Sequence, residues 1–82
     1  MNRKFATFRI SRQDIVDKQE EIEEIFSILR FVPVRAEALF AEDVIEYTGL
    51  SNAFVEVGKD CEIPEVELIY DSEMKTVEVK YD

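Results

Sequence analysis

Residues Ser11 to Leu29 read S-R-Q-D-I-V-D-K-Q-E-E-I-E-E-I-F-S-I-L, and the fold turns on them. Ile15, Ile22, Ile25, Phe26 and Leu29 recur at the spacing that lines one side of an α-helix. Asp17, Glu20, Glu21, Glu23 and Glu24 fill most of the remainder. Ser11 stands three residues before Asp14, the spacing of a capping box. There the Ser oxygen accepts an otherwise orphaned backbone N–H, and the acid sits at the positive end of the helix dipole. The stretch predicts one helix, apolar inside and anionic outside.

Phe5 to Ile10 leads into it with a different period: Ala6, Phe8 and Ile10 point one way, Phe5, Thr7 and Arg9 the other. That alternation predicts a half-buried strand. On the other side Pro33 cannot continue a helix and disfavours helical geometry in Val32, so the helix ends near Leu29.

Residues 31–50, F-V-P-V-R-A-E-A-L-F-A-E-D-V-I-E-Y-T-G-L, admit two readings. As strands, Val32, Val34, Ala36, Ala38 and Phe40 share a face, Glu42-Asp43 turns, and V-I-E-Y-T returns. As a helix, Ala36, Leu39, Phe40, Val44 and Tyr47 align, and Gly49 caps the end. Ala, Glu and Leu favour helix; Val, Ile, Tyr and Thr favour strand. The two-strand reading is preferred, with Pro33 making the first strand an edge or a bulged one.

Gly49 to Asn52 has turn chemistry, Phe54 to Val57 is a short apolar run readable as a strand, and Gly58-Lys59-Asp60 turns again. Two alternating runs follow, E-V-E-L-I-Y from Glu65 and K-T-V-E-V-K-Y from Lys75, joined through Asp71-Ser72-Glu73-Met74. They predict a β-hairpin. Together these elements predict an α+β fold in a single domain over 1–82: one amphipathic helix packed on a four- to five-stranded, mostly antiparallel sheet.

Charge narrows the function. The net charge is −9, placed unevenly. Residues 1–13 carry four basic side chains and no acid, whereas Glu37 to Asp82 holds thirteen acids against three lysines. Such a field repels a phosphate backbone, so no direct contact with nucleic acid is expected, and it attracts basic surfaces. No apolar run reaches the roughly 18 residues a bilayer span needs, and Arg9 and Arg12 interrupt any secretion signal. No membrane partner and a cytoplasmic location are the expectation.

Composition also argues against catalysis. There is no histidine to serve as base or zinc ligand, and the single cysteine excludes an intrachain disulfide. Cys61 lies between Asp60 and Glu62, the wrong electrostatic setting for a reactive thiolate. The two glycines, Gly49 and Gly58, form no phosphate loop. Close acid pairs such as Glu42/Asp43, Asp60/Glu62 and Glu65/Glu67 arise by chance among nineteen acids. No enzyme activity, metal or cofactor is expected.

Binding surfaces are the alternative. On the helix, Asp17, Glu21 and Glu24 stack at i, i+4 and i+7, as do Glu20 and Glu24. Like charges at that spacing cost a few tenths of a kcal/mol per pair. A solvated face in an acidic protein explains this blandly; a surface for a basic partner explains the uniform sign. The hairpin adds Glu65, Glu67 and Glu78 on its solvent face. If the strand reading holds, Phe5, Phe31 and Tyr47 fall on faces away from the helix, an apolar patch rimmed by acids. A sheet covered on both faces would bury them instead.

I-E-Y-T-G-L-S-N-A-F from Ile45 and I-P-E-V-E-L from Ile63 resemble stretches in small accessory proteins of tailed phages. In size and acidity the chain is also similar to phage-encoded inhibitors that occupy nucleic-acid-binding surfaces of host enzymes. The resemblance implies a phage or mobile-element origin and carries no functional residues. The leading expectation is therefore a non-enzymatic inhibitor. It would set Asp17, Glu20, Glu21, Glu24, Glu65, Glu67 and Glu78, with Phe31 and Tyr47, against a basic nucleic-acid-handling protein in the host cytoplasm. The other expectation is an assembly subunit whose sheet edges pair into a homodimer or larger oligomer.

Overall fold

Alternation in Phe5–Ser11 produces strand β1, with Ala6 and Phe8 buried and Arg9 exposed. A computed structural model describes residues 3–58 and 60–81. Lys59, the middle of the expected turn at Gly58 to Asp60, lies outside the described residues. Ser11 caps the helical segment as its spacing predicts, its Oγ accepting the Asp14 N–H at 3.1 Å.

The single helix expected over 11–29 is two: α1 (Arg12–Asp17) and α2 (Gln19–Leu29). They meet at Lys18, whose backbone leaves the helical region at φ −123°, ψ 36°. Ile15, Val16 and Asp17, weak helix formers, directly precede the break. At the other end Arg30 turns left-handed at φ 51°. Phe31 N–H then bonds back to Phe26 O at 3.0 Å, and the two rings meet at 5.2 Å. This is a Schellman stop with its usual apolar contact.

Residues 31–50 are strands, as preferred, so the helical alternative falls. They form β2 (Val32–Leu39) and β3 (Val44–Leu50), turning through Asp43 at φ 56°. β3 is central, in the order β1-β3-β2, with both pairings antiparallel. Pro33 lies on an edge strand beside a bulge between Pro33 and Arg35, both as expected of a residue without an N–H. The bulge has a consequence the alternation concealed. Val32 pairs with Leu50 on one face, while Ala36 and Ala38 pair with Tyr47 and Ile45 on the other. Gly49 is neither turn nor helix cap; it sits inside β3, opposite Ala6 and Pro33.

The predicted hairpin is β4 (Val66–Asp71) and β5 (Thr76–Tyr81), but it forms a separate two-stranded sheet, so the single four- to five-stranded sheet expected is instead two. Asp71 Oδ1 sets its turn by accepting the Glu73 and Met74 N–H groups at 3.0 and 3.2 Å. One parallel bridge, Thr7 to Glu65, links it to β1. The expected strand at Phe54 to Val57 is reduced to a bridge between Val57 and Arg3.

The core lies where α2 crosses the face of β1. Ala6, Phe8, Leu29, Phe31, Phe54 and Val66 are buried, with Ile25, Phe26 and Tyr47 packed against them. Phe8 is its centre, 5.0 Å from the Phe31 ring and stacked on Tyr47 at 5.7 Å. Buried Ser51 ties the helix end to the chain beyond β3: its Oγ donates to Leu29 O at 2.6 Å and accepts from Ala53 N–H at 3.1 Å.

Candidate functional site

The seven acids expected to make one anionic surface divide between two sides of the molecule. Residues paired directly across antiparallel strands share a face. Ala6 with Gly49 and Phe8 with Tyr47 therefore mark the side that α2 covers, and Thr7 with Thr48 and Arg9 with Glu46 mark the opposite, open side. On the hairpin, buried Val66 and half-buried Leu68 alternate with Glu65 and Glu67, and Val77 and Val79 alternate with Glu78. Glu65, Glu67 and Glu78 consequently belong to the open side. Asp17, Glu20, Glu21 and Glu24 belong to the helical side. The two groups approach each other at a cleft of about 500 Å³ where β1 and β4 diverge, lined by Glu21, Glu65 and Glu67 with Arg9 and Lys18.

On the helical side Asp17, Glu20 and Glu23 are exposed, and Glu21 and Glu24 are half-buried at the flank. Among the described residues none of Asp17, Glu20, Glu21 and Glu23 is ion-paired. Asp17 receives a hydrogen bond from Gln13 Nε2. Between this ridge and the hairpin runs a shallow groove of about 670 Å³, lined by Asp17, Glu20, Glu21, Glu24, Tyr70 and Lys75.

Glu24 differs from its neighbours, because it fastens α2 to the hairpin. Its Oε1 lies 3.3 Å from Lys75 Nζ. Its carboxyl is held below the ordinary value, first by the Tyr70 hydroxyl beside it, against a smaller opposing effect of lost solvent, and then by Lys75. The same carboxylate, together with burial, pushes Tyr70 above its ordinary value. The Tyr70 hydroxyl is shut off from solvent and its contact falls outside good hydrogen-bond geometry, so the pair is weaker than a formed bond.

A carboxyl depressed by folding contributes stability that is present above its unfolded value and lost as pH falls through the folded one. Glu24→Gln is therefore expected to lower Tm at neutral pH, with the gap to the wild type closing below the ordinary carboxylate range. Melting both proteins across that range checks it; a gap indifferent to pH would remove the charge from this contact.

The open side is organised around Arg9. Its guanidinium meets Glu46 at 3.1 Å, Glu42 at 3.3 Å and Glu65 at 3.4 Å. Glu46 first, then Glu42, raise its pKa further. These are exposed contacts of small individual worth. They show where the basic opening strand spends its charge: Arg9 answers acids of the sheet, and Arg12 pairs with Asp43 at 3.5 Å. Neither neutralises α2. Hence Glu65 is partly compensated, while Glu67 stands opposite Lys80 and Glu78 opposite Ile69.

The aromatic expectation needs correction. Phe31 is buried and Tyr47 packs against the core, so neither is on a surface patch. Both fall on the helical side, and the missing side chain of Gly49 lets the Phe31 ring lie against the sheet. Phe5 is on the open face, half-buried, with the Arg3 guanidinium 5.9 Å from its ring.

Apolar groups that do reach solvent include Phe40, 77% exposed at the tip between β2 and β3, and Val32 and Val34 along β2. An alternating apolar run reads as a buried face, and Pro33, which marks β2 as an edge, does not say whether anything covers that face. Cys61 is exposed, and among the described residues no three metal-binding side chains gather to hold an ion. No helix among them is long and apolar enough to cross a membrane. Comparison with protein-family models, with curated proteins and with solved structures finds no match.

Proposed function

We propose that the chain is a non-enzymatic binding protein of phage type, acting in the host cytoplasm. Its helical ridge of Asp17, Glu20 and Glu21 would occupy the basic groove of a nucleic-acid-handling protein. What carries the reading is that these three carboxylates line one groove without an ion-pair partner among the described residues, although like charges held close together repel. Carboxylates there take the places of phosphates, and the field speeds encounter. Glu65, Glu67 and Glu78, on the opposite side, play no part in that contact, and Glu24 holds the hairpin in place behind the ridge.

The test is a tagged pull-down from bacterial lysate, with bound protein challenged by double-stranded DNA and by salt. A basic nucleic-acid protein that DNA displaces supports the reading. With that partner, Asp17→Lys, Glu20→Lys and Glu21→Lys together are expected to slow association by about ten- to thousandfold at low salt, leaving the Tm little changed. Retention indifferent to DNA, salt and charge reversal would assign recognition to another surface.

A further inference from the structure

Strand β2 ends its sheet, and seven of its eight residues are exposed. Sheet edges in water are ordinarily blocked by proline, bulges or charge, because their free N–H and C=O groups invite another strand. Here Pro33 and the bulge obstruct only the beginning; Arg35 to Leu39 pairs regularly with β3.

Which groups this edge offers follows from alternation. Thr7 N–H points away from β3, donating to Pro64 O at 2.9 Å. Phe8 and Ile10 therefore bond toward β3, through Tyr47 and Ile45. Glu46, Thr48 and Val44 then face β2, where they meet Glu37, Arg35 and Leu39. That leaves Ala36 and Ala38 with their N–H and C=O groups directed outward.

We propose that a second copy of this chain pairs there, β2 against β2, antiparallel about a two-fold axis at Ala36, to make one continuous six-stranded sheet. Charge selects the register. Arg35 and Glu37 share the open face and already touch within one chain at 2.7 Å. With the axis at Ala36, Arg35 faces Glu37 of the partner subunit, and Glu37 faces the partner's Arg35. Those are non-hydrogen-bonded positions, where opposed side chains lie closest.

Moving the axis one residue, to Glu37 or Arg35, sets like charges opposite each other, which is destabilising. The chosen register also brings Val34, 59% exposed in the single chain, toward the partner's Ala38. Small side chains at Ala36 and Ala38 leave the approach unobstructed. The proposal is independent of the acidic ridge on α1 and α2, so either can fail alone.

Sedimentation equilibrium on the wild-type chain over about a hundredfold range of concentration should show a reversible monomer–dimer equilibrium. Ala36→Pro removes an N–H that the single chain does not use, so it should abolish the dimer while the circular dichroism stays that of a folded monomer. Arg35→Glu should weaken dimerisation at least tenfold, and Arg35→Glu with Glu37→Arg should restore it. In a Cys61→Ser background, oxidised Ala36→Cys should cross-link across the axis, where the Cα separation of about 5.5 Å suits a disulfide. A wild-type chain that stays monomeric throughout overturns the proposal. So does a dimer indifferent to Ala36→Pro, or one that the charge swap does not rescue.

Discussion

Gly49→Ala is expected to remove a large part of the protein's stability and to lower its urea midpoint sharply. A Cβ at that position would stand 2.3 Å from the Val32 carbonyl oxygen and 2.5 and 2.7 Å from two carbons of the Phe31 ring. Neither neighbour is the free end of a flexible side chain. The carbonyl belongs to a strand paired with β3, and the ring is boxed in by Phe8, Phe26 and Phe54 at 5.0, 5.2 and 6.2 Å.

Relief requires either prising β2 from β3 or turning Phe31 out of the core. Overpacking alone costs about 1–3 kcal/mol, and losing a buried phenyl costs about 3–5 kcal/mol. A domain of this size has a total stability of about 4–12 kcal/mol. A urea titration followed by near-ultraviolet circular dichroism checks it. A midpoint close to that of the wild type would mean that the close approach of ring and strand is absent in solution.

Phe8→Ala should come second, with a loss of about 3–5 kcal/mol. Phe8 is 1% exposed, the largest side chain so completely enclosed. Its ring touches three aromatic neighbours, Phe26, Phe31 and Tyr47, at 5.9, 5.0 and 5.7 Å. These come from α2, the Schellman stop and β3, so a cavity there loosens the aromatic packing between the helix and the larger sheet. Phe8→Leu leaves a smaller cavity and should cost less than the alanine change. The ordering wild type, Leu, Ala in urea midpoints is the result to look for. Equal midpoints for Leu and Ala would mean that the ring contacts, rather than the filled volume, hold the core.

How far each feature was legible follows the range of the interaction that makes it. Ser11 as a cap, the strand Phe5 to Ser11, the hairpin Val66 to Tyr81 and the edge character of Pro33 all rest on neighbours a few residues apart. For the candidate surfaces, sequence marked the acids and missed their sides. Glu21 and Glu67 carry the same charge, but one projects from α2 and the other from the open face of β4. Nothing local distinguishes them.

Composition, period and capping chemistry were thus enough to establish an α+β chain, its anionic character and most of its elements, because each is settled within a turn or a hairpin. Tertiary packing alone decided that Phe31 and Tyr47 go inward, that Gly49 is a seat for a ring, and that Glu24 closes on Lys75. It also placed β3 at the centre of its sheet. Each of these depends on which distant segment arrives at a given face, and that is set by filling one shared core rather than by any residue's near neighbours in the chain.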